Sequence, residues 1–576
     1  MNNIYSELIK QAEKTPDKIA IVHGDKSISY RNLYEKANMY ACFLKDKDIG
    51  NEDIVCISAN RSIALIACII GVLQSGGAYL TIDPQLSSSK IRDMIADTNS
   101  RFMFADDILE LDTALSAIKL DEISCMPPSN QHIVPCTRTT NSLAYIVYTS
   151  GTSGQPKAVM VEDGNILAYI RAYHQILNVV ATDKTLQQSP CFYDGFAEEI
   201  YSMLLCGGTV VLPEAADLQN PRLIKKIIEK QRVTLLATTP IMLNELNNLE
   251  RIDSIRAFIS SGDVLKSRNY SHLIQYCEVY NMYGPTETTV CATYYRCTAT
   301  DTGKTSIGQA IPGYFIHVLD EQLQPVPNGL SGNIYISGAG VSRGFLHDTN
   351  RTDIAFIKTS DGCRLYDTGD IASWDENGYL LYHGRKDRQV KIKGRRIEPL
   401  EIEIAAERLD GIRQAVVLVK ETAEDEKQLC LFYISSGSTN TQKIREHLRE
   451  CLPAHMVPMI ITEINHIPLT VTGKIDNTKL LNSLPKYMDV KIASENSLEA
   501  RFSEVIRTSL GDEIIKSEIL FDDKLDELGI HSILFITMVL NLEQEFDFQF
   551  DDDDLLMTNY DTIKDLYEYI KTKSTM

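Results

Sequence analysis

Over roughly the first 383 residues, short β-rich apolar runs alternate with stretches whose apolar residues recur at helical spacing, and this alternation constrains the fold most. Leu143-Ala144-Tyr145-Ile146-Val147, Val233-Thr234-Leu235-Leu236 and Ala257-Phe258-Ile259 read as strands, and residues 223–230 read as a helix. An α/β fold of layered sheets with helices against their faces follows. From about 332 to 382 short strands with Gly and Asp turns predict an antiparallel or barrel-like subdomain. The basic run Gly384-Arg385-Lys386-Asp387-Arg388-Gln389-Val390-Lys391-Ile392-Lys393-Gly394-Arg395-Arg396 then opens a second, smaller α/β unit. Residues 485–496 hold few large apolar side chains and read as a linker. Helical patterns at 497–509, 532–545 and 562–571 predict a small all-α four-helix bundle. The expected division is therefore 1–383, 384–484, a linker at 485–496, and 497–576. A chain of 576 residues exceeds what one core normally supports, in keeping with several domains.

The formal net charge of -21 opposes nucleic-acid binding, which needs a basic face to displace counterions. Residues 495–576 hold 20 Asp and Glu against 7 Lys and Arg, which marks the last segment as a separate acidic module. Thirteen cysteines include no C-x-x-C pair and sit mostly in apolar runs such as Ala41-Cys42-Phe43, as free thiols in a reducing compartment do. The N-terminus lacks the pattern of a signal peptide, and the most apolar helical stretch, 63–73, is too short for a bilayer. The expectation is a cytoplasmic protein with no membrane contact.

Directly after an apolar strand comes Tyr148-Thr149-Ser150-Gly151-Thr152-Ser153-Gly154-Gln155-Pro156-Lys157. Small hydroxyl residues, glycines and a lysine suit a loop closing around a polyphosphate, although the Walker spacing is absent. Alone, such a run has a flexible surface loop as its lesser reading. Further on stand Asn281-Met282-Tyr283-Gly284-Pro285-Thr286-Glu287-Thr288-Thr289, placed just past a strand expected at 277–280, and Tyr366-Asp367-Thr368-Gly369-Asp370. Pro468-Leu469-Thr470-Val471-Thr472-Gly473-Lys474-Ile475-Asp476 follows the basic run.

In this order the segments resemble the amino-acid adenylation domains of nonribosomal peptide synthetases, within the adenylate-forming superfamily of acyl-CoA synthetases and luciferases, over about residues 5–482. The resemblance implies ATP and Mg²⁺ as cofactors and gives individual residues roles. Thr149, Ser150, Gly151, Thr152, Ser153, Gly154 and Lys157 would close on the phosphates, with Gly284 and Thr286 in the second motif. Tyr283 would stack on adenine, and Asn281 would meet its edge. Glu287 would hold the metal, a hard cation that favours carboxylate oxygen. Asp370 would accept from the ribose hydroxyls, with Arg385 beside it. Lys474 would bridge the substrate carboxylate and the α-phosphate, delivered by closure of a mobile small domain. Asp387 would be the pivot between domain orientations.

Asp194 aligns with the family's pocket aspartate for an α-amino group, so an amino acid is the expected substrate. Gly195, Glu198, Ile259, Ser261, Met282, Val290 and Cys291 are the other expected lining positions. Glu198 would face a mostly apolar pocket and need a cationic partner, pointing to a basic substrate such as lysine or ornithine. The bland alternatives are that it faces solvent or pairs with a protein cation.

Leu528-Gly529-Ile530-His531-Ser532-Ile533 resembles the attachment site of carrier domains, where a serine receives 4′-phosphopantetheine, with His531 standing where aspartate is common. Taken alone, Ser532 reads as a helix cap. The partners implied are an amino acid, a phosphopantetheinyl transferase, and a downstream acceptor or condensation-type protein in trans. An acyl-CoA synthetase and an inactive scaffold are the competing readings. The fused carrier and Asp194 oppose the first; Asp370, Glu287 and Lys474 oppose the second.

Overall fold

The structure is a computed structural model. It describes the chain except residues 1–2, 107–115, 125–132, 151–155, 216, 304, 360–361, 393, 422–426, 436, 438, 469–474, 485–501, 503–504, 507–508, 510–523, 526–529, 531, 547, 552–553 and 574–576. Two compact units emerge. One comprises Met1–Glu214, Ile224–Ile404 and Arg449–His455; the other comprises Ala215–Leu223, Ala405–Leu448 and Met456–Met576.

The first unit is built on two large sheets. In the nine-stranded sheet, Ile19–His23, Thr209–Leu212, Lys184–Leu186, Leu235–Thr238, Ala257–Ser260 and Glu278–Tyr283 run parallel, with antiparallel strands at both edges. The seven-stranded sheet is parallel through Ser116–Lys119, Phe102–Ala105, Ile54–Ser58, Ala78–Thr81 and Leu143–Thr149, and ends on the antiparallel strands Lys157–Glu162 and Gly344–Phe345. Strands buried on both faces read as continuous apolar runs, which is why Leu143–Thr149 and Ala257–Ser260 were legible. Helix Ile63–Ser75 is apolar on every side, and Leu65 to Ser75 are all buried. The expected antiparallel subdomain is present as a five-stranded sheet around the long strand Arg364–Trp374.

One buried charge pair ties several of these parts together. Arg138 and Asp163 are both fully buried, with Nε to Oδ2 at 2.7 Å. Arg138 also donates to the carbonyls of Gly77 at 2.7 Å, Gly76 at 3.2 Å and Leu143 at 2.7 Å. Removing one member leaves the other charged and desolvated. Arg138→Met is therefore expected to cost about 3–5 kcal/mol, read as a shift in the urea unfolding midpoint. A loss within the range of ordinary surface substitutions would show the pair to be dispensable.

In the second unit, Ile412–Glu421 and Lys427–Ser435 pair antiparallel, and Ile460–Glu463 joins in parallel. Val416, Leu418, Cys430, Phe432, Leu480 and Leu484 pack as its core. Near the C-terminus, helices Ser532–Phe546 and Ile563–Lys573 bury Phe535, Met538, Leu542, Leu566 and Ile570 with Phe502 and Ile506. Among the described residues, no helix is long and apolar enough to cross a membrane.

Candidate active site

The motif containing Tyr283 lies within a strand, not past its end. Glu278–Tyr283 continues three residues beyond the expected stop because Asn281, Met282 and Tyr283 keep antiparallel partners in Tyr295, Tyr294 and Thr293. Side chains alternate along a strand, so Asn281 and Tyr283 share one face while Met282 takes the other. Ile259 pairs in register with Tyr280, which places it on the same face as Met282. One strand thus separates the expected nucleotide residues from expected pocket residues.

On the Tyr283 side a compact polar cluster forms. The Tyr283 hydroxyl donates to Asp370 Oδ2 at 2.5 Å, and Tyr382 donates to Oδ1 at 3.3 Å. Arg385 donates through Nη1 to Asp370 Oδ1 at 2.9 Å and grips both oxygens of Asp387 at 2.7 and 2.8 Å. Burial would raise the Asp387 carboxyl, yet this guanidinium holds it below the ordinary aspartate range. Three donors engage Asp370, and a carboxylate accepts about four, so one acceptor direction is left for a ligand hydroxyl. Lys391 Nζ lies 5.8 Å from the Tyr283 ring centroid, a cation over the aromatic face. The Asn281 side-chain amide donates to the Ser306 carbonyl at 2.8 Å.

Glu287 sits in the short turn Thr286–Thr288, fully buried. Arg396 Nη1 meets its two oxygens at 2.9 and 3.1 Å, and Lys157 Nζ stands 3.9 Å away. Burial alone would raise this carboxyl, but the two cations hold it at about 2. Burial lowers the Lys157 ammonium, and Glu287 offsets part of that shift. Gly284 has a steric role here: a β-carbon would come within 2.5 Å of Cys291 Cα, so only glycine lets the following loop fold back. That loop carries Thr289 and Val290 at φ 63° and 66°, a strained conformation for a β-branched pair.

Thr286, next to Glu287, neighbours the Asp194 carboxylate and lowers it against the burial that raises it. Asp194 opens helix Asp194–Leu204, where a carboxylate suits the helix dipole. Burial pushes its carboxyl up. Gly195 packs against Ser189, whose Oγ would lie 2.6 Å from an added β-carbon. One turn on, Glu198 is buried and hydrogen-bonded by the Tyr169 hydroxyl. This is neither of the two bland alternatives: it faces no solvent, and no protein cation pairs with it among the described residues. Desolvation, reinforced by Glu199 and Asp194, pushes Glu198 up to about 8. Ile259, Met282, Val290 and Cys291 are buried in the same apolar cluster, and Ser261 is half-buried just beyond its strand. Burial raises the Cys291 thiol, and the negative charges of Glu198 and Asp194 add to it.

Of the expected phosphate loop, Thr149 ends strand Leu143–Thr149 and pairs with Lys157 across the hairpin. Ser150 Oγ donates to the Arg396 carbonyl at 3.1 Å. Gly151, Thr152, Ser153, Gly154 and Lys474 lie outside the described residues, as does the expected linker. Ser532 begins a helix of the second unit. Sequence reasoning missed Tyr382, Tyr169, Lys391 and Arg396 as individual participants. The last two stood inside the quoted basic run, and its cationic density was the only signal for them.

Buried polar atoms test what fits. Thr149 Oγ1 and Arg396 Nε have no hydrogen-bond partner among the described residues. With Lys157, Arg396 and Lys391 nearby, the donor set fits a phosphate-bearing ligand beside the Tyr283–Asp370 cluster. Glu287 is the carboxylate that a divalent cation would use, and in this arrangement Arg396 and Lys157 supply the positive charge beside it.

Comparison with known proteins gives the same picture. The profile of the family "AMP-binding enzyme" matches residues 8–346, and that of "Phosphopantetheine attachment site" matches 502–570. ATP and 4′-phosphopantetheine are the groups these two families handle, and Mg²⁺ is standard for the first. Bacitracin synthase 2 of Bacillus licheniformis is 35% identical over 99% of this chain and 22% of its own length. Gramicidin S synthase 2 of Brevibacillus brevis is 31% identical over 94% of this chain and 12% of its own. The chain thus spans less than a quarter of these relatives. In fold it is similar to holo-PA1221, an NRPS protein containing adenylation and PCP domains, with a TM-score of 0.83 at 23% identity over 99% of this chain and 96% of that one. The long profile match and the near-complete coverage of this chain agree, and the chain belongs to the AMP-binding enzyme family as an adenylation domain fused to a phosphopantetheine carrier domain.

Proposed function

We propose that the protein activates an amino acid with ATP as aminoacyl-AMP, releases pyrophosphate, and transfers the aminoacyl group to phosphopantetheine on its own Ser532. The substrate carboxylate oxygen attacks the α-phosphorus and the α–β phosphoanhydride bond breaks; Ser532 would hold the phosphopantetheine arm, which would supply the thiol that takes the aminoacyl group with AMP as the leaving group. Tyr283, Asp370 and Arg385 bind the nucleoside; Thr149, Ser150 and Lys157 face the phosphates; Asp194 accepts the α-ammonium; Lys474 stabilises charge as the anions approach. The division at 383/384, Asp387 as pivot, and the roles of residues 151–154 belong to the same reading. The observation that carries it is the presence, on the one segment 283–287, of Tyr283 in the Asp370–Arg385 cluster and of Glu287 in the Arg396–Lys157 cluster. Amino-acid-dependent exchange of pyrophosphate into ATP tests it, and no exchange with any amino acid would end it. A phosphopantetheinyl transferase, a downstream condensation-type acceptor and a reducing cytoplasmic setting complete the proposal.

For substrate class, we infer a basic amino acid such as lysine or ornithine. The support is Glu198: a carboxyl buried beside apolar positions, with a tyrosine hydroxyl as partner, acquires its counter-charge from a ligand. Glu198→Gln keeps the shape and removes the charge. Its kcat/KM for the basic substrate is expected to fall about 30-fold or more, while that for norleucine holds or rises. The sign of the pH effect follows from the raised carboxyl. Below about 8 Glu198 is neutral in the free protein, so KM for a cationic substrate should fall as pH rises from 7 towards 9. A wild-type preference for large neutral amino acids in the exchange panel would refute the basic-substrate reading.

A further inference from the structure

We propose that Tyr169 is a positioning residue for substrate specificity: its hydroxyl holds the Glu198 carboxyl in place at the amino-acid pocket, and the pair together, not Glu198 alone, selects a substrate with a terminal ammonium. The inference rests on the basic-substrate reading above and names the residue through which that reading works.

The Tyr169 hydroxyl donates to Glu198 Oε2, and no other hydrogen bond and no ion pair reaches this carboxyl among the described residues. Both side chains are buried, Tyr169 completely. A phenol supplies one donor and no charge, so it fixes the carboxyl without neutralising it. The counter-charge is left for a ligand to bring.

The two residues come from different helices, Asp163–Leu177 and Asp194–Leu204. About one turn further along, His174 Nε2 donates to the Ser202 carbonyl at 2.7 Å and ties the same two helices together again. The Tyr169 ring also packs against Tyr173, with centroids 6.1 Å apart. A hydroxyll on a ring held in this way fixes the carboxyl that it bonds.

The groups facing Glu198 explain why that bond matters. Asp194 and Glu199 of its own helix repel its charge. Tyr169 and Tyr173 face it from helix Asp163–Leu177, and Cys291 faces it from the loop after Tyr283. None of these is a cation. Burial and the two carboxyls favour the neutral acid, and the Tyr169 hydrogen bond is what favours the ionised form. Residues four apart on a helix share one face, with β-carbons about 5–6 Å apart. If Asp194 takes the α-ammonium, Glu198 one turn on suits a second ammonium of the same molecule. Norleucine, of the same chain length as lysine without that terminal nitrogen, has no use for the pair.

Amino-acid-dependent pyrophosphate exchange by the full chain tests this, with lysine, ornithine and norleucine across about pH 7 to 9. In Tyr169→Phe the ring stays and the donor is lost. For the preferred basic amino acid kcat/KM should fall about 10-fold or more, as expected for a lost hydrogen bond to a charged group. That loss should sit in KM, while kcat/KM for norleucine holds or rises. The pH at which KM for the basic amino acid falls should move upward, because the missing donor favoured the ionised carboxyl. Added to Glu198→Gln, the same substitution should alter the basic-to-neutral ratio by less than about 2-fold, since the charge it serves is already gone. An unaltered ratio and pH midpoint in Tyr169→Phe overturn the proposal. An equal loss for norleucine also overturns it, because the hydroxyl is then structural only. A wild-type preference for neutral amino acids removes the basic-substrate reading and this proposal together; a basic preference that survives Tyr169→Phe unchanged removes this proposal alone.

Discussion

Ser532→Ala is expected to leave amino-acid-dependent pyrophosphate exchange at the wild-type rate and to abolish every covalent aminoacyl adduct. The two outcomes separate because they belong to different parts of the chain. On the proposed reading, exchange draws on Tyr283, Asp370 and Glu287, all in the first unit. Loading needs an oxygen at position 532 to which the phosphopantetheine arm is attached, and alanine has none. The fold of the carrier should survive, since helix Ser532–Phe546 contributes Phe535, Met538, Val539 and Leu542 to the core. Intact-mass measurement after incubation with a phosphopantetheinyl transferase, coenzyme A, ATP and the preferred amino acid reads the result. His531 in front of the serine makes this informative, because the common aspartate is absent. An adduct surviving on Ser532→Ala would place the attachment point elsewhere.

How far the sequence revealed these features depends on the range over which each is encoded. Strands such as Leu143–Thr149 and Ala257–Ser260 are local apolar runs buried on both faces, and the pattern alone locates them. The end of Glu278–Tyr283 was missed because its last three residues are held by pairing with Thr293–Arg296, a partner that a window around 277–280 does not contain. Tyr169 and Glu198 are 29 residues apart, on different helices, so nothing local announces their hydrogen bond. Arg396 is the clearest example. Basic residues in a run normally face solvent, and its meeting with Glu287 spans 109 positions. Individual motifs were legible because phosphate, ribose and pocket chemistry each favour particular residue types. Which cation meets which carboxylate was not, because that is decided by tertiary packing.

The same distinction bears on Lys474→Ala, for which adenylate formation is expected to slow by about 10²- to 10³-fold. The site already holds cations, so the need for another has to be argued. Arg396 is bound to Glu287, Arg385 to Asp370 and Asp387, and Lys157 lies 3.9 Å from Glu287. Charge committed to resident carboxylates is poorly placed to stabilise new charge developing between the substrate carboxylate and the α-phosphate. The role of Lys474 comes from the resemblance of residues 468–476 to the family's motif, and an ammonium adds stabilisation only where it meets the reacting groups. The loss should therefore appear in the rate of a single turnover at saturating ATP and amino acid, with little change in affinity for either. Transfer from preformed aminoacyl-AMP to the holo carrier should proceed, because that step no longer brings two anions together. If Lys474→Ala forms adenylate as fast as the wild-type protein, the cations already at Glu287 suffice and the role assigned to Lys474 is wrong.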